Sequence, residues 1–66
     1  MFKINDLVIV NELRNRWNIP PCGTIEQLNE TTADVMVFNL YGPGADMLVT
    51  NIPIIELSIP RPSGDV

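Results

Sequence analysis

Cys22 is the one thiol in a chain of 66 residues that contains no histidine. A thiolate nucleophile needs a base or a cationic setting, and imidazole is the usual base. Arg14 and Arg16 are the cations nearest to it in sequence, so a small enzyme working through Cys22 ranks third among the functional readings. A single cysteine excludes an intramolecular disulfide and, with histidine absent, argues against a thiolate or imidazole metal site. The carboxylates Asp6, Glu12, Glu26, Glu30, Asp34, Asp46, Glu56 and Asp65 are dispersed. No two of them stand at a spacing that fixes a general acid and base pair. The glycine-rich stretch at 42–46, "GPGAD", could aim amides at an anion, but it lacks the lysine and the following helix of a phosphate loop and reads as a turn. No catalytic residue, metal or cofactor is therefore expected.

The chemistry that remains is recognition. Arginine and aromatic side chains contribute disproportionately at protein interfaces, and Arg14, Arg16, Trp17 and Tyr41 form the best constellation of that kind. A competing reading folds Trp17 back as a cap on one end of the core with Tyr41 beside it, because the chain has only two Phe, one Trp and one Tyr to build with. An open strand edge that accepts another chain is a second route to a partner. The extended Pro60-Arg61-Pro62 arm, laid in a groove, is a third.

Eight carboxylates against four cations give a net charge of −4. That is the wrong sign for a protein that gains affinity by neutralising phosphates, so nucleic acid is not the expected partner. No apolar run approaches the roughly eighteen residues needed to cross a bilayer, and the amino terminus lacks a charged-then-apolar signal pattern. A location in the cytoplasm, or within a virion or other assembly, is expected. A chain this short buries only about 60% of its unfolded surface, so its core is thin and help from outside it is expected. Hydrophobic residues make up 45% of the chain, more than one small core easily hides. A larger protein assembly, or a second copy of the chain, is the expected partner.

The elements that must carry these residues are short. Apolar, β-branched blocks recur between Asn, Gly, Pro and Asp, the rhythm of an all-β domain. "FKINDLVIV" at 2–10, with its apolar run Leu7 to Val10 after the turn signal Asn5-Asp6, predicts a first strand that starts near Asp6. "GTIEQL" at 23–28 predicts a second, with Gly23 permitting a bend out of Pro20-Pro21-Cys22 and a bulge or partial exposure where Ile25 and Leu28 fall out of phase. "DVMVFNL" at 34–40 predicts a central third strand, with Val35 and Val37 on one face and Met36, Phe38 and Leu40 on the other. "YGPGAD" is a loop. "MLVT" at 47–50 is a fourth strand, and a turn around Pro53 leads to a fifth that places Ile55 and Leu57 on one face. Only residues 11–17 offer a helical alternative, as a single turn. Residues 1–58 then form one domain and 59–66 an extended, flexible tail containing proline.

Five short strands, with a long loop after the first and a short turn before the last, resemble the SH3-like small β-barrels. "INDLVIV" at 4–10 looks like the opening strand that many of them write as Gly-Asp and alternating valines, with Asn5 in place of the glycine. "GTIEQL", "DVMVFN" and "MLVTNIPIIEL" resemble the second, the third, and the fourth and fifth strands with their turn. The chain is similar in size and rhythm to KOW-type modules, to small barrel subunits of photosynthetic electron-transfer complexes, and to barrels in phage tail and capsid accessory proteins. It lacks the basic surface of the first two and the acidic-aromatic groove of signalling SH3 domains. The resemblance implies a small all-β barrel and a habit of binding macromolecules. The leading expectation is a non-enzymatic interaction module, an accessory, regulatory or structural subunit of a larger assembly. A phage capsid or tail accessory, or an inhibitor of a host complex, fits the compact length. A KOW-like module of transcription or translation machinery is the alternative.

Overall fold

The computed structural model describes residues 2–60. They form a five-stranded antiparallel sheet, curled into a half-barrel, in the order β4-β3-β2-β1-β5. The strands are β1 (Leu7–Val10), β2 (Cys22–Leu28), β3 (Thr32–Val37), β4 (Met47–Pro53) and β5 (Leu57–Ser58). A 3-10 turn, Ile54–Glu56, separates β4 from β5. A long loop follows β1 and a short turn precedes β5, as expected. Residues 11–17 contain turns and no helix. The tail expected at 59–66 lies outside the described residues from position 61 onward.

Alternation along each strand builds the interior. Val8 and Val10, Ile25, Ala33, Val35 and Val37, Ile52 and Leu57 all point to one side of the sheet, and Leu40 joins them from a loop. This core is wholly aliphatic. Phe2, Leu13, Leu28, Val49 and Ile54 pack around it. The bulge expected in β2 is present, as a register shift between Ile25 and Gln27, and it keeps Ile25 buried while Glu26 and Gln27 both meet solvent.

Two expectations of side-chain placement are corrected. Leu40 does not share a face with Met36 and Phe38: β3 ends at Val37, and Asn39 turns the chain at φ 53, sending Leu40 into the core. Ile55 does not share a face with Leu57, because it sits in the 3-10 turn, where the two-residue alternation of a strand no longer holds; it is 89% exposed. Gly23 also acts differently from a bend. It lies inside β2, and a Cβ there would run into the backbone carbonyl of Met36 and approach Val35 Cγ1 to 2.7 Å.

Asparagine supplies most of the left-handed turns. Asn5, Asn18, Asn39 and Asn51 all have φ between 53 and 75. Asparagine tolerates that region better than other non-glycine residues. Asn5 thus takes a left-handed backbone just before β1, at φ 75. Asp6 closes this turn by accepting the Lys3 amide at 2.8 Å.

Candidate functional site

The loop between β1 and β2 is anchored at its root. Leu13 packs against the core, the Val10 amide donates to the Pro21 carbonyl at 2.9 Å, and the Asn11 amide donates to Glu56 O at 2.8 Å. Its tip is closed by Asn15. The Asn15 Oδ1 accepts the amides of Trp17 at 2.9 Å and Ile19 at 3.2 Å, while the Asn15 amide donates to Ile19 O at 3.0 Å. This local hydrogen bonding is what a short asparagine side chain does well in a turn. It holds Trp17 outward, 52% exposed and outside the core cluster. The reading of Trp17 as a core cap does not describe this arrangement, because five strands of aliphatic side chains already fill the interior.

The loop at 38–46 is closed in the same manner. The Asn39 amide donates to Asp46 Oδ1 at 2.9 Å, and Asn39 Oδ1 accepts the Gly44 amide at 2.7 Å. Leu40 N–H donates to Ala45 O and Ala45 N–H to Gly42 O, each at 3.0 Å. Gly42 at φ 143 and Gly44 at φ 75 take backbone conformations that favour glycine. The amides of Gly42, Gly44 and Ala45 are turned inward to their own loop, in keeping with a turn. Tyr41 projects from it, 66% exposed.

Arg16 joins the two loops. Its guanidinium carbon stands 5.9 Å from the centre of the Trp17 ring, within reach of a cation–π interaction. The same side chain lies along Gly42: a Cβ on that glycine would stand 3.3 Å from Arg16 Nη1 and 3.6 Å from its Cδ. Arg16 therefore lies near Trp17 on one side and near Gly42, the residue next to Tyr41, on the other. Arg14 is engaged differently, with Nη1 donating to the carbonyl oxygens of Asn11 at 2.9 Å and Leu13 at 2.8 Å. It stiffens its own loop and flanks the cluster.

No family model, curated protein or solved structure matches the chain. The likeness to small barrels is thus one of architecture.

Cys22 is exposed at the first position of β2, opposite Ile9 of β1. Among the described residues no group of His, Cys, Asp or Glu is gathered to hold a metal ion, and no pocket is formed. No helix of the described residues is long and apolar enough to cross a membrane.

A second surface went unseen in the sequence. On the outward side of the sheet, Leu7, Thr24, Met36 and Leu48 stand directly opposite one another across β1, β2, β3 and β4. Three of these four are apolar, and Leu48, at the β4 edge, is 48% exposed. The two-sided apolarity of residues 34–40 was the only signal of it, and strand register was needed to extend it across the sheet.

Proposed function

We propose that the protein is a non-enzymatic interaction module, an accessory or regulatory subunit that docks on a larger protein assembly through Arg16, Trp17 and Tyr41, with Arg14 at the margin. The observation that carries this reading is the position of Arg16, which stacks near Trp17 and lies against Gly42 beside Tyr41. Two exposed aromatics and an arginine are the residue types that most often anchor an interface. Both loops are held by their own hydrogen bonds, so little ordering cost remains to be met on binding. A phage capsid or tail accessory, or an inhibitor of a host complex, is the kind of role this reading gives it.

Affinity capture from native lysate tests the reading. The wild-type chain is expected to retain a specific protein complex, and the double variant Trp17→Ala, Tyr41→Ala to lose it while keeping the circular dichroism of the fold. Equal capture by both chains defeats the proposed anchor. Capture of RNA or DNA instead, weakening steeply with salt, replaces it with the KOW-like alternative.

A further inference from the structure

The two edges of the sheet are built differently. β5 has two residues, Leu57–Ser58, and Pro60, which has no amide hydrogen to donate, follows closely. β4 has seven, Met47–Pro53, and none is charged. An open edge recruits another strand unless charge, proline or a backbone irregularity blunts it. On β4 those devices stand at the far end only, where Asn51 has φ 58 and Pro53 closes the strand. Met47 to Thr50 are left as four uncharged residues with Met47, Leu48 and Thr50 exposed.

We infer that this segment pairs antiparallel with the same segment of a second copy, about a two-fold axis at Leu48. The register follows from the strand's alternation, since outward side chains must stand opposite outward side chains. An axis at Leu48 sets Leu48 against its own mate, Met47 against Val49 of the second copy, and Asp46 against Thr50. An axis at Val49 keeps the alternation but sets Met47 against Asn51, whose left-handed backbone departs from the strand conformation.

A second copy fits the edge on charge. Each chain carries −4, yet the carboxylate beside the segment, Asp46, meets an uncharged threonine, so no like charges are opposed in the ladder. The outward row of Leu7, Thr24, Met36 and Leu48 also continues directly into its copy, through the paired Leu48 residues. A five-residue ladder, 46–50 in each copy, covers less than the roughly 800 Å² per partner of a standard stable interface, which places the pair among weak, concentration-dependent dimers.

Sedimentation velocity of the full chain tests this, with monomer expected at about 1 µM and growing dimer towards about 1 mM. Leu48→Lys is expected to abolish the dimer while the dichroism is unchanged, and Trp17→Ala to leave it intact, which separates this surface from the loop anchor. The register is read by oxidative cross-linking in a Cys22→Ser background. Across the axis, opposed Cβ atoms lie about 4.5–5.5 Å apart, close to disulfide reach. Leu48→Cys is expected to cross-link on the order of tenfold faster than Ile55→Cys, an exposed position in the 3-10 turn outside the proposed ladder. A wild-type monomer throughout the series, a dimer that survives Leu48→Lys, or equal rates for the two cysteines overturns the inference.

Discussion

The inner face of the sheet and the loop end of the molecule divide the hydrophobic residues by type. The core consists of Val, Ile, Leu and Ala alone, packed from all five strands and one loop. Trp17 and Tyr41 stand outside it with Arg16 between their loops. β-branched side chains fit a pleated, half-buried surface, whereas a large aromatic would crowd so thin an interior. The contrast means that the residues that hold the fold and those proposed to meet a partner are different, and mutagenesis can separate them.

The largest expected effect is at the centre of the inner face. Ile25 is fully buried, and Ile25→Ala removes packing worth about 3–4 kcal/mol, most of the stability a domain this small can have. Urea denaturation at low temperature checks this. Gly23→Ala comes next, because the added methyl meets backbone that cannot swing aside; about 2–3 kcal/mol of destabilisation is expected. Near-wild-type stability there would show that β2 and β3 separate more readily than their close approach implies.

At the loop end, the effects on stability shrink. Asn39→Ala puts a poorer left-handed residue at φ 53 and removes the bond to the Gly44 amide, for about 1–2 kcal/mol, read as a lowered melting temperature. Trp17→Ala is expected to change stability by less than about 0.5 kcal/mol, since the side chain is half exposed and outside the core. In calorimetry with the captured partner, the same variant is expected to lose at least about 2 kcal/mol of binding. A large loss of stability at Trp17 would erase the distinction between the two regions, and a large loss of binding alone would sharpen it.

Much of the sheet was legible before the structure. Leu7 to Val10 stood out as an uninterrupted apolar run after a turn signal, and β1 begins at Leu7, one residue after the start expected near Asp6. The phase break between Ile25 and Leu28 announced the bulge in β2. Leu40 and Ile55 were misplaced for one reason: alternation was carried past the residue where the backbone leaves the strand. A left-handed Asn39 and a 3-10 turn at Ile54–Glu56 each end it. The loop cluster was legible as residue types. Its assembly was not, because Arg16 reaches Gly42 across the fold and nothing near Arg16 in sequence specifies that contact.

Composition and short-range periodicity were enough to establish an all-β chain, the number of its strands and their places along the chain, and the impossibility of an internal disulfide, since turn preferences and side-chain alternation act over a few residues. Folding in three dimensions settled the rest. It put Trp17 outside the core, joined two loops through Arg16, aligned Leu7 with Leu48 across four strands, and left β4 as the open edge. Those features depend on register and on contacts between residues far apart in the chain, where any one strand is compatible with several partners and packing of the whole core selects among them.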